Sequence, residues 1–181
     1  MVKPWPLVSS ETVADTGFFS VTRDRARSPR TGGEKDFFII HMADWVQVVP
    51  LTTDGRLVMI RQYRHGSRKI GLEVPGGLME PGDAGPQECA ARELAEETGY
   101  GGGVYLSLGD FWPQPALLAN RVSFVAARGV APAAGRALDD GEDIEVVLVG
   151  KDEVDRKISS GEVHNAMTVT ALTLARAKGL L

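Results

Sequence analysis

Short runs rich in valine, isoleucine, leucine and phenylalanine, separated by turn residues, dominate the chain. They predict strands over residues 18–27, 37–42, 45–51, 57–64 and 72–74, and again over 104–112, 121–128 and 144–149. The turn-rich stretch Ser28-Pro29-Arg30-Thr31-Gly32-Gly33 separates the first two, and Asp54-Gly55 joins the clearest hairpin pair. Helical spacing replaces alternation in three places. One helix starts at Pro86 and stops at Gly99; the others lie near residues 151–159 and 165–178. In the last, Val169, Leu172 and Ala175 share a face and Gly179 follows as a stop. Residues 131–137, rich in Ala, Pro and Gly, read as a loop. Strands on both sides of a central helix, with helices at the end, predict a mixed sheet covered by helices.

The central helix carries the chemistry. Glu93, Glu96 and Glu97 fall on it within about 100° of arc. Like charges at such spacing destabilise a helix by a few tenths of a kcal/mol per pair, and Arg92 alone cannot neutralise three carboxylates. Such a cluster calls for a cation, and grouped hard oxygens suit Mg²⁺ or Mn²⁺. Pro75-Gly76-Gly77 and the Glu80-Pro81-Gly82 turn lie just upstream, where bare backbone can approach a ligand. Metal-assisted chemistry on a phosphate follows.

Residues 77–100, GLMEPGDAGPQECAARELAEETGY, resemble the Nudix box, a glycine-opened loop running into a helix that bears R-E-x-x-E-E-x-G. Arg92 through Tyr100 fits its second half fully. In the first half Asp83 stands where the family has Glu, and eight residues rather than seven separate it from Arg92. The extra residue falls near Gly85-Pro86, before the helix. The resemblance implies an α+β fold, a Nudix-type α/β/α sandwich with a mixed sheet over residues 43–181, preceded by antiparallel strands over residues 1–42. In the ADP-ribose pyrophosphatase branch such strands build a homodimer. It further implies two to three Mg²⁺ or Mn²⁺ ions. Glu93 and Glu97 would be ligands, Glu96 would share or support them, the Gly76 carbonyl would complete the site, and Arg92 would pin the glutamates.

The same branch supplies expectations about substrate. Between Arg56 and Lys69 the chain carries six basic or imidazole side chains and no acid. Alternation puts Arg61 and Arg64 on opposite faces, so the two cannot share a job. Gln62-Tyr63-Arg64 resembles the Q-x-R whose arginine contacts substrate, and a guanidinium fork suits a diphosphate. Gly17-Phe18-Phe19-Ser20 resembles the segment whose first phenylalanine stacks on adenine held by the other subunit, which assigns that role to Phe18. Glu73 would hydrogen-bond the sugar or orient the glycine loop. Pro115 stands at the spacing of a proline in ADP-ribose-cleaving members, although its neighbours Gln114 and Ala116 differ from the family's S-P-G. Residues 139–146, DDGEDIEV, resemble the acidic loop that supplies the catalytic base, with Asp140 and Glu142 both in matching positions. Residues 160–166 resemble the turn into the last helix of that branch.

Composition narrows the field. A chain of 181 residues with 43% hydrophobic content can bury a proper core. Its net charge of −4 argues against general nucleic-acid binding, and means that an anionic substrate needs a metal and local cations. The single cysteine, Cys89, has no partner for an internal disulfide and reads as a small buried hydrophobe. No apolar run has membrane-spanning length and the first residues do not resemble a signal peptide, so a cytoplasmic setting is expected. The expected activity is cleavage of the pyrophosphate in a nucleoside diphosphate linked to another moiety, ADP-ribose or a related nucleotide sugar. Two alternatives stand beside it: a Nudix-fold module that binds nucleotide sugars without turnover, and a nucleoside triphosphate pyrophosphohydrolase.

Overall fold

The computed structural model describes residues 1–133, 135–138, 141 and 143–181. These divide into two compact units, Met1–Asp44 with Trp112–Arg121, and Trp45–Phe111 with Val122–Leu181. The first unit is an antiparallel sheet of β1 (Leu7–Asp15), β2 (Ser20–Arg27) and β3 (Glu34–His41) in that order. The nine residues of β1 are all exposed, so no buried face gives that strand a hydrophobic alternation, and its existence was not anticipated. Residues 112–121 join this unit through β3: Ile40 N donates to Leu117 O at 2.8 Å and Ala119 N to Ile40 O at 3.0 Å.

The second unit holds the larger sheet. Its strands are β4 (Trp45–Thr52), β5 (Leu57–Arg64), β6 (Lys69–Glu73), β7 (Tyr100–Gly101), β8 (Val104–Phe111), β9 (Val122–Pro132) and β10 (Ile144–Val149). The order is β10-β5-β4-β9-β7, with β6 beside β5 and β8 beside β9. β4 and β9 run parallel and the other pairs are antiparallel, which makes the sheet mixed. Three helices accompany it: α1 (Pro86–Thr98), α2 (Val154–Ser159) and α3 (Ala166–Ala177).

Alternation in the central strands builds a core on each face. Val46 and Val48 of β4, Val58 of β5 and Val125 and Ala127 of β9 pack with Cys89, Ala90 and Leu94 of α1. Their neighbours Val49, Leu51, Leu57, Met59, Phe124 and Ala126 pack with Ala171, Leu172 and Ala175 of α3. Each fully buried aliphatic side chain stabilises the fold by roughly 1.5–3 kcal/mol. Sheet and helices are thereby locked in the α/β/α order that the resemblance implied.

One departure from expectation creates the site. The Asp54-Gly55 turn closes, with Thr52 N donating to Arg56 O at 2.9 Å, but β4 and β5 pair only at Leu51 and Leu57. Proline at position 50 has no N–H to continue the ladder. Beyond it the strands part. Val48 N donates instead to Pro75 O and Val46 N to Gly77 O, both at 2.9 Å, while β6 takes the edge of β5 from Ile60 to Arg64. The glycine loop is thus wedged into the sheet along β4.

Candidate functional site

Helix α1 presents its acids to this wedged loop. Its start is set by Pro86, whose missing N–H costs nothing in the first turn, and its end by Gly99 in the left-handed conformation at φ 73°. Glu97 lies within the buried stripe of the helix, only 2% exposed. Its Oε2 accepts the N–H of Gly76 at 3.0 Å. A Cβ on Gly76 would stand 2.2 Å from Val46 O, and one on Gly77 would stand 2.5 Å from Glu93 Oε1 and 2.6 Å from Oε2. Gly76 is therefore required by its close approach to strand backbone, whereas the contact at Gly77 is with the movable end of the Glu93 side chain.

Arg92 organises the other acids. Its Nη1 donates to Glu93 Oε1 at 2.9 Å and to Glu96 Oε2 at 3.0 Å. Its Nε and Nη2 grip both oxygens of Asp83 at 3.2 and 3.1 Å, and Nη2 also reaches Leu78 O at 3.0 Å. Asp83 also accepts the N–H of Glu80 at 2.8 Å. The hydrogen bonds from Arg92, then that from the Glu80 backbone, hold the Asp83 carboxyl down to about 2. The same pairing with Asp83 raises the Arg92 guanidinium pKa further, so its charge is permanent. Cys89 sits beneath this cluster, and burial pushes its thiol up to about 12.

A second polar group lies at the end of β5 and β6. Arg64 Nη2 donates to Glu73 Oε2 at 3.0 Å, and Asn165 Nδ2 donates to the same oxygen at 2.6 Å. Glu73 is 1% exposed, whereas the Arg64 side chain keeps 40% of its surface. Arg61 turns elsewhere, to Glu145 and Glu162 at 3.2 and 3.1 Å, as alternation required. Phe18 lies in the turn between β1 and β2, 62% exposed. Asp140 and Glu142, the expected alternatives for the base, lie outside the described residues.

The structure thus brings Gly76, Gly77, Glu93, Glu96, Glu97 and Arg92 together, and Arg64 with Glu73. Two participants were not singled out from sequence, Asp83 as the clamp on Arg92 and Asn165 as a partner of Glu73. Residues 160–166 resembled the turn into the last helix, but no local signal pairs residue 165 with residue 73. Among the described residues, no three His, Cys, Asp or Glu side chains form a group able to hold a metal ion. Glu93 and Glu97 nevertheless converge on one glycine pair whose Cβ positions are filled by carboxylate and backbone. Two carboxylates converging on a bare glycine loop are a donor set that fits a hard divalent cation.

Comparison with known proteins gives the family and the fold. The NUDIX domain model matches residues 42–176, and the chain belongs to the Nudix family. An ADP-ribose pyrophosphatase of Bacillus subtilis (strain 168) is 31% identical over 137 residues, covering 75% of this chain and 74% of that protein. An ADP-ribose pyrophosphatase of Mycobacterium tuberculosis is 27% identical over 172 residues, 94% of this chain and 82% of that protein. A crystal structure of an ADP compounds hydrolase superposes with a TM-score of 0.86 over 100% of this chain and 99% of that one. At 23% identity it speaks for the fold. No helix among the described residues is long and apolar enough to cross a membrane.

Proposed function

We propose that this protein is a divalent-metal-dependent hydrolase that cleaves the pyrophosphate of ADP-ribose or a related nucleotide sugar. The observation that carries the reading is the convergence of Glu93 and Glu97 on the Gly76–Gly77 loop. The kinship with two ADP-ribose pyrophosphatases supports the substrate class. Glu93 and Glu97 would hold Mg²⁺ or Mn²⁺, with Glu96 and the Gly76 carbonyl completing the ligand set for two to three ions. When bound, the metal would neutralise the diphosphate and lower the pKa of a water nucleophile.

The chain's own residues do the rest. Arg92 Nη1 bridges the Glu93 and Glu96 carboxylates and offsets their repulsion. The Gly76 N–H fixes the Glu97 side chain, so its charge is aimed before any ligand arrives. Arg64 offers a guanidinium fork to a diphosphate oxygen. A carboxylate on residues 139–146, Glu142 or Asp140, takes the proton of the attacking water. Phe18, solvent-exposed at its turn, stacks on the adenine of a substrate held by a second copy of the chain. The apolar side chains left exposed in the first unit, Leu7, Val13, Phe37 and Phe38, support such a homodimer.

A substrate panel tests the reading. ADP-ribose, ADP-glucose, GDP-mannose, flavin adenine dinucleotide, NADH and nucleoside triphosphates are incubated with Mg²⁺ or Mn²⁺ and assayed for nucleoside monophosphate. The highest kcat/KM should fall on ADP-ribose or another nucleotide sugar. Preference for triphosphates, or binding of nucleotide sugars without release of monophosphate, would replace the reading by one of its alternatives. Light scattering at micromolar concentration tests the dimer.

A further inference from the structure

Glu73 is a carboxylate almost without surface, at 1% exposed, and both its partners are donors. Arg64 approaches it along the guanidinium edge, Nη2 at 3.0 Å from Oε2 and Nε at 3.3 and 3.4 Å from the two oxygens. Asn165 closes the other side at 2.6 Å. Gly71 lies on the same face of β6 as Glu73. A Cβ there would meet His164 at 2.8 Å, so the floor under the pair is filled by the turn that precedes α3. A carboxylate enclosed in this way has no oxygen turned toward solvent for a sugar hydroxyl. Its task is to hold Arg64.

Asn165 has two duties at once. Its Oδ1 accepts the N–H of Met167 at 2.9 Å, which caps α3, and its Nδ2 donates to Glu73. Ser and Asp would serve the cap as well. Neither can serve the second duty: Ser is too short to span to Glu73, and Asp would set a second carboxylate against it. Only an amide supplies an acceptor for the helix and a donor for the buried acid. The α3 terminus, 92 residues distant in sequence from Glu73, is thereby tied to the strand end that carries Arg64.

We infer that Asn165 is a positioning residue, which fixes the Arg64 guanidinium through Glu73 and so sets the affinity for the diphosphate. The outer edge of Arg64 stays open, with 40% of the side chain exposed. Loss of the Asn165 hydrogen bond frees Glu73 to rotate and Arg64 to leave its place. The inference rests on the reading of Arg64 as a diphosphate contact, and it deepens that reading by naming what holds the arginine.

The test compares Asn165→Ser and Asn165→Asp with Arg64→Ala and the Arg64→Ala/Asn165→Ser double variant. Asn165→Ser should melt close to the parent, because the cap survives, whereas Asn165→Asp keeps the cap but sets a carboxylate against buried Glu73 and should melt lower. In each the KM for the preferred nucleotide sugar should rise roughly tenfold, the range for a lost charge-assisted hydrogen bond, with kcat within about threefold. The double variant should be no worse than Arg64→Ala alone, since both changes disable one device. Additive losses in the double variant, or an unchanged KM in Asn165→Ser, would overturn the inference. A second readout needs no turnover. The Arg64 Nε–H should exchange with water faster in metal-free Asn165→Ser than in the parent, by NMR. Unchanged exchange rejects the positioning role whether or not the panel finds a substrate, whereas a silent panel with faster exchange rejects only the functional reading.

Discussion

Glu97 Oε2 accepts the Gly76 N–H at 3.0 Å, across the gap between helix α1 and the loop wedged beside β4. This bond joins the most buried acid of the helix to the least substitutable glycine of the loop. It ties the glycine loop to the helix across 21 residues of sequence. Replacing Glu97 with Gln keeps the shape and an acceptor for Gly76 but removes the charge. The Glu97→Gln variant should fold, with a melting temperature near that of the parent when metal is absent. Its turnover at limiting Mg²⁺ should fall by at least ~10²-fold, more than the effect of losing an outer partner of a metal site. Turnover within a few-fold of the parent would remove Glu97 from the ligand set.

The two glycines should respond differently to alanine. At Gly76 the new methyl meets Val46 O, a backbone atom held in the sheet, at 2.2 Å. Relief requires the strand or the loop to move, at about 1–3 kcal/mol of stability. At Gly77 the methyl meets the end of the Glu93 side chain, which can swing away. Gly77→Ala should keep most of its stability and bind Mg²⁺ ~10–100-fold more weakly. Urea melts and metal titrations of the two variants check the contrast.

Acid should weaken the Asp83–Arg92 clamp in a defined window. The folded-state carboxyl is held down to about 2, below its ordinary value of 3.8, first by the Arg92 hydrogen bonds. A lowered folded value means that the stabilisation is complete above about pH 4 and is lost as pH falls toward 2. Urea melts of the parent and of Asp83→Asn should therefore differ at pH 6 and converge as pH approaches 2. A gap that persists unchanged at low pH would mean that Asp83 stabilises the loop by shape rather than by charge.

Cys89 should be inert. It is fully buried against Val46 and Leu94, and burial has pushed its thiol up to about 12. The thiolate that reacts with iodoacetamide is then scarce at pH 8 as well as inaccessible. Labelling should be absent in the folded protein and complete in urea; rapid labelling without denaturant would show that α1 opens readily.

How much of this was legible before the structure depended on where each signal was local. Strands 57–64 and 144–149 were read to the residue, because they are apolar runs bounded by turn residues. Pro86 and Gly99 fixed the ends of α1 for the same reason. The strand Leu7–Asp15 was missed because exposure on both faces left nothing to alternate. The Asp54-Gly55 turn was correct, yet its strands part at Pro50, and only the competition of the 75–77 backbone for β4 explains what replaces the pairing. Within the site, the helix acids and Arg64 carried motifs. Asp83 was obscured by the extra residue before Pro86, and Asn165 by its distance from Glu73.

The most direct measurement is ³¹P NMR of ADP-ribose incubated with the protein and Mg²⁺, alongside Glu97→Gln and a sample with excess chelator. The account predicts that the diphosphate resonances of the parent reaction give way to two monophosphate resonances, those of AMP and ribose 5-phosphate. They should persist on the same timescale in the other two samples. Diphosphate signals that survive with the parent and every nucleotide sugar tried, or that vanish equally fast with Glu97→Gln, would contradict it.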